Sequence, residues 1–137
     1  MDIQFGMIVL YARDLTKTIE FYRRLGLDIP DPRADRPVAI YRMTNGLSII
    51  FTTGDVAVRY DADWARPESG YQQVMEFVVG DDASVDALWN TLTSAGYHGR
   101  TAPAHINGPY AALVEDPDGN AVLISSDLAT LTGATSI

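Results

Sequence analysis

The sequence predicts an α+β fold made of two similar halves, each a strand, a helix and a strand pair. Three observations carry this. The chain has 137 residues and is 47% hydrophobic, enough for one compact domain with a real core. Apolar strand-like runs alternate with segments whose apolar residues recur at helical spacing. Two landmarks then repeat at similar offsets: the helix-ending glycines Gly26 and Gly96 lie 70 residues apart, and the hairpin glycines Gly46 and Gly119 lie 73 apart.

In the first half, residues 3–12 form an apolar run that reads as a buried strand. Asp14 is placed to cap a helix. Leu15, Ile19 and Tyr22 follow at helical spacing, Phe21 and Leu25 widen the apolar face, and Gly26 closes the helix. A charged, proline-rich loop covers 29–37. Strands are predicted over 38–44 and 47–53, joined at Asn45-Gly46, a dipeptide suited to hairpin turns.

The second half repeats this order. Residues 74–79 read as a strand. Asp81, Asp82 and Ser84 crowd a helix start, and Val85, Leu88, Trp89 and Leu92 mark its apolar face, with Trp89 assigned to the core. Strands over 110–114 and 121–125 flank the turn Asp116-Pro117-Asp118-Gly119, in which Asp116 is the structural cap. Residues 54–73 connect the halves. Their Tyr60, Trp64 and Tyr71 either serve a functional loop or pack a linker against the sheet. The tail after Asp127 is small and polar and is expected to fray.

The formal net charge is −8, from 18 acids against 10 Lys plus Arg. That surface repels phosphate backbones, which excludes nucleic acid as a partner class. It favours a cationic ligand, or serves only solubility. No apolar run reaches the length of a membrane span. The acidic N-terminal stretch lacks the basic start of a secretory signal. No cysteine is present, so disulfides and thiolate chemistry are excluded and a cytoplasmic location is expected.

Asp14, Thr18, Phe21-Tyr22 and Leu25-Gly26-Leu27 follow the pattern D-x-x-x-S/T-x-x-F-Y-x-x-x-L-G-L, and Asp116-Pro117-Asp118-Gly119-Asn120 forms a D-P-D-G-N turn. Together they resemble the vicinal oxygen chelate superfamily of glyoxalases, extradiol dioxygenases and bleomycin-resistance proteins. The resemblance implies two βαβββ modules in a single domain spanning 1–137, with a curled mixed sheet around a cleft and the helices outside. Here the modules cover about 3–53 and 74–126.

Metal-dependent members hold one divalent ion on the first and last strands of each module. The matching positions are found by counting back seven residues from Asp14 and from Asp81, on three from Asn120 and on four from Gly46. They are Met7, Val74, Leu123 and Ile50. None supplies an oxygen or nitrogen donor. Neither His98 nor His105, read as lying in the loop after the second helix, matches a family ligand. The resemblance therefore points to the metal-free, bleomycin-resistance-like branch. It implies no cofactor, a homodimer, and sequestration of a cationic or aromatic small molecule such as an antibiotic.

Strand alternation gives the cleft lining. Phe5, Val9 and Tyr11 accompany Met7; Glu76 and Val78 accompany Val74; Ser48 and Thr52 accompany Ile50; Ala121 and Ser125 accompany Leu123. Tyr41 and Tyr110 are further ligand-binding candidates, though their strand faces are not assigned by pattern. Tyr60 and Trp64 are candidates for a lid or a dimer contact. Glu76 is an acid within an apolar strand. It can hold a ligand cation, act as a general base, or pair with Arg42 or Arg13. The alternative function is a metal-independent enzyme of isomerase or cyclase type in natural-product biosynthesis, with Glu76 or His105 as the acid/base. A purely regulatory or structural dimer is the third possibility. No Ser-His-Asp spacing and no Gly-rich phosphate loop is visible.

Overall fold

A computed structural model describes residues 1–106 and 108–127. The tail after Asp127, expected to fray, lies outside the described residues. The fold is α+β, with three helices and seven strands in two open mixed sheets among the described residues. The chain separates into two compact units, Met1–Glu68 and the part from Ser69 on. Each holds one of the repeats.

In the first unit, β1 (Met7–Ala12) leads into α1 (Leu15–Leu25), followed by β2 (Ala39–Arg42), β3 (Ser48–Thr53) and α2 (Gly54–Tyr60). Asp14 caps α1 by accepting from the Lys17 amide at 3.2 Å. Gly26 ends it at φ 123°, a conformation that L side chains rarely adopt, and Leu27 N–H returns to the Tyr22 carbonyl. The sheet order is β1-β3-β2, with β1 parallel and β2 antiparallel to β3. Strand alternation sends Leu10, Ala12, Ile49 and Phe51 to the face that carries α1. Tyr22 meets Phe51 there, ring centroids 5.1 Å apart, and Phe21, Tyr22 and Phe51 are fully buried. The hairpin is a three-residue loop: Met43 N–H bonds the Leu47 carbonyl, and Gly46 takes φ 90°.

The second unit runs β4 (Val74–Val78), α3 (Asp82–Ser94), β5 (Gly99–His105), β6 (Tyr110–Glu115) and β7 (Ala121–Ser125). Its sheet order is β4-β7-β6-β5, with β4 parallel to β7 and the other pairs antiparallel. Asp81 caps α3 through the Ser84 amide at 2.8 Å. Val85 and Leu92 of α3 and Ala112, Val114, Val122 and Ile124 of the sheet have no exposed surface. Trp89, assigned to the core by pattern, is half-buried and lies against Gly99; a Cβ at Gly99 would clash with the edge of its ring.

Three expectations are corrected in detail. Residues 54–60 are helical and belong to the first unit, so the connection is shorter than 54–73. Residues 99–105 form a strand, so His105 ends β5 and does not lie in a loop. β5 escapes the pattern because Pro103 and two register shifts break its alternation, as edge strands tolerate. In the first unit the matching stretch between α1 and β2 is not a strand. It is a loop closed by Arg33 N–H on the Val38 carbonyl, 3.0 Å.

Candidate functional site

The first unit contains a cavity of about 510 Å³ on the sheet face away from α1. β1 supplies Met7, Val9 and Tyr11, and β3 supplies Ile50 and Thr52. The register Val9↔Ile50 and Tyr11↔Thr52 sets these side by side. Ile40 of β2 lies opposite Ile50, with Val38 just before it. Val56 and Tyr60 of α2 and Arg33 and Arg36 of the preceding loop complete the lining. The walls are mostly aliphatic and aromatic, as in small-molecule sites, and the volume falls in the range such sites occupy.

Secondary contacts hold this lining in place. Trp64 packs edge-on against Tyr11 with centroids 5.5 Å apart. Arg66 stacks over Trp64 at 5.2 Å and donates to the Tyr11 carbonyl at 2.7 Å. The Thr52 hydroxyl donates to the Pro37 carbonyl at 2.7 Å, which ties the arginine loop to the sheet. Arg33 forks onto Asp35 with bonds of 3.1 and 3.3 Å. That hydrogen bonding holds the Asp35 carboxyl below its usual range, with smaller help from the charges of Arg33 and Arg36.

Of the sequence-derived candidates, Met7, Val9, Tyr11, Ile50 and Tyr60 come together here. Trp64 stands behind Tyr11 and does not line the cavity. Tyr41 does not join them. It pairs with Ile49, which places it on the α1 face. Arg33, Arg36, Val38, Ile40 and Val56 were not anticipated. For Ile40 a signal existed: the three-residue loop after Met43 fixes Met43 opposite Leu47, hence Ile40 opposite Ile50. For the arginines there was none, because loop side chains follow no period.

In the second unit, Glu76 pairs in register with Leu123, and Leu113 follows on the next strand. Val74 lies two residues before Glu76 on the same face and is 48% exposed. Glu76 is half-buried, and its carboxylate has no hydrogen-bond or ion-pair partner among the described residues. Tyr110 sits on the opposite, α3-bearing face and donates to Asp86 Oδ1 at 2.6 Å. The Asp86 hydrogen bond raises its phenol above the ordinary value. His105 pairs with Tyr110 and meets its ring edge-on, centroids 5.3 Å apart. It therefore faces away from Glu76, and the two do not form one acid/base pair. His98 and Arg100 both approach Glu115, at 3.7 and 3.2 Å.

The four positions matching the family's metal ligands offer one thioether and three aliphatic side chains. No group of three or more His, Cys, Asp or Glu residues is placed to hold an ion among the described residues. This donor set does not suit a hard or borderline divalent cation.

Residues 4–124 match the Glyoxalase/Bleomycin resistance protein/Dioxygenase superfamily. The chain belongs to this superfamily. No curated protein gives a significant match. Among solved structures, the chain is similar to a hypothetical protein from S. aureus, at 21% identity and TM-score 0.78, over 91% of this chain and 94% of that one. It is similar to a glyoxalase-related enzyme from Fulvimarina pelagi, at 22% identity and TM-score 0.76, over 89% and 86%. It is also similar to a glyoxalase/bleomycin resistance protein/dioxygenase family enzyme from Burkholderia phytofirmans PsJN, at 20% identity and TM-score 0.75, over 90% and 98%. At these identities the likeness concerns the fold. No helix among the described residues is long and apolar enough to cross a membrane.

Proposed function

We propose that this superfamily member is a metal-independent small-molecule binding protein that sequesters an antibiotic or other natural product without altering it. The observation carrying this reading is the cavity floor. Met7 and Ile50 stand where metal-dependent relatives place ligands, and both line the 510 Å³ cavity as apolar wall. The same positions that cannot hold an ion offer contact area to an apolar ligand body. A cytoplasmic homodimer completes the proposal. The lack of cysteine suits a reducing compartment, and the exposed Ile3, Phe5, Tyr60 and Val74 suit a partner copy.

The test combines metal analysis with ligand recovery. Purified protein is assayed for bound metal, screened by thermal shift against aromatic antibiotics including bleomycins, and each hit is recovered for mass analysis. Binding with the ligand intact and no stoichiometric metal supports sequestration. An equimolar divalent ion required for binding would sink the metal-independent reading.

One observation favours a second reading, a metal-independent enzyme of isomerase or cyclase type. Glu76 is a half-buried carboxylate without a partner on an otherwise apolar strand face, the setting in which a general base is found. A chemically changed ligand, with turnover lost in Glu76→Gln and the fold retained, would select this reading over the first.

A further inference from the structure

We infer that the cavity of the first unit selects an anion: a small ligand with an aromatic or branched aliphatic body and a carboxylate, the body against the sheet and the carboxylate on Arg36. This rests on reading the cavity as a binding site and adds the ligand's chemical class.

The protein carries a net charge of −8, yet both charged side chains lining the cavity are arginines. A random draw from this surface would favour acids. The cationic ligand that the net charge suggests finds no counter-ion here. The two guanidiniums are also not equivalent. Arg33 is engaged by both Asp35 oxygens. The Arg36 guanidinium makes no hydrogen bond or ion pair among the described residues, and its attraction to Asp35 is only a minor influence on that carboxyl. A free planar fork at the wall of an apolar cavity matches a carboxylate in shape and charge. Its backbone is fixed, because the Arg36 carbonyl accepts from Val38 N–H at 2.9 Å and the Pro37 carbonyl is held by Thr52. The apolar remainder then faces Met7, Val9, Ile40 and Ile50, which have no polar side-chain groups to satisfy.

Asp35 becomes a built-in competitor. Removing its charge would release Arg33 as a second fork toward the ligand. Asp35→Asn is therefore expected to tighten anion binding, the opposite of what a merely structural Arg33–Asp35 pair predicts.

The experiment is calorimetric titration of the full chain at low salt with three probes of one shape: 2-naphthoate, 2-naphthamide and 2-naphthylmethylammonium. The wild type is expected to bind 2-naphthoate about tenfold or more tighter than the amide, as a charge-assisted hydrogen bond allows. Arg36→Gln should erase that preference, Arg36→Lys should keep part of it, and Asp35→Asn should increase it. Val9→Trp, at a partly exposed wall position, should block all three probes, with Ile50→Trp as a second blocking variant. Circular dichroism checks the fold of each. If Val9→Trp and Ile50→Trp block binding but the carboxylate preference survives Arg36→Gln, the anion inference falls and the binding reading stands. If the folded blocking variants bind unchanged, the cavity is not the site and both fall. Preference of the wild type for the ammonium probe, or no binding of 2-naphthoate, also overturns the inference.

Discussion

Single residues in this chain carry unequal weight, and Asp116 shows why. The residue is 4% exposed, and its carboxylate accepts from Asp118 N–H, Asn120 N–H and Asn120 Nδ2 at 2.8 to 2.9 Å. Asp116→Ala strands the donors of a tight turn, and is expected to lower unfolding free energy by roughly 2–4 kcal/mol in urea titration. Asp116→Asn should recover part of this, because one side-chain oxygen remains. An unchanged urea midpoint in Asp116→Ala would refute the assignment. This cap was legible in the sequence, because a D-P-D-G-N turn uses its first acid locally. Glu76 was legible only in part. Alternation gave its face, but which groups surround its carboxylate is a tertiary question that no strand period answers. Arg36 was illegible for the same reason.

At the scale of elements, sequence pattern succeeded where local chemistry alone sets the outcome. Asp14 and Asp81 cap α1 and α3 as read, and Gly26, Gly46 and Gly119 take positive φ at the expected turns. It failed where packing overrides local preference. α2 begins at a glycine, and Thr53 before it makes no side-chain capping bond. What fixes its start is contact: a Cβ on Gly54 would meet the Trp64 ring at 2.9 Å. Gly54→Ala is therefore expected to push Trp64 off Tyr11, costing about 1–3 kcal/mol as overpacking does. It should also weaken any ligand that Val9→Trp blocks. Wild-type stability and affinity in Gly54→Ala would show that the brace does not matter. β5 was hidden by its proline, and Gly99 under Trp89 is its anchor.

The acid limb of stability also belongs to elements. Asp81 is held below the ordinary carboxylate range by hydrogen bonding to Ser84, and Asp35 by Arg33. A depressed folded pKa means that each contribution is present above the unfolded value and lost as pH falls through the folded one. Tyr110 has the opposite sign. Its phenol is raised by Asp86, so the β6–α3 link is intact below the ordinary tyrosine value and lost as pH rises through the folded one. Denaturation midpoints should therefore fall at both extremes, and Tyr110→Phe should flatten only the alkaline limb. A matching change on the acid limb would show that the residue acts otherwise.

On the scale of the whole molecule, one topology has been used twice with different surfaces. In each unit the first and last strands run parallel, and the helix between covers one face. The first unit's other face holds an aliphatic cavity with two arginines; the second's presents Glu76 among Leu123 and Leu113. Both first strands, β1 and β4, are sheet edges, and an edge with exposed apolar residues tends to acquire a partner. Ile3, Phe5 and Met7 alternate along the approach to β1 and are 83%, 72% and 53% exposed, while Val74 opens β4 at 48%. An acidic chain should not leave so much apolar side chain in water without a partner. The proposed homodimer is the simplest cover for it. Sedimentation at micromolar concentration is expected to give a dimer, which Phe5→Asp should dissociate while the circular dichroism spectrum is kept. Arg36→Gln, outside that apolar row, should leave the dimer unchanged. A wild type that sediments only as monomer would remove the dimer, yet leave the cavity and its arginines as they stand, because every residue lining it comes from one unit of one chain.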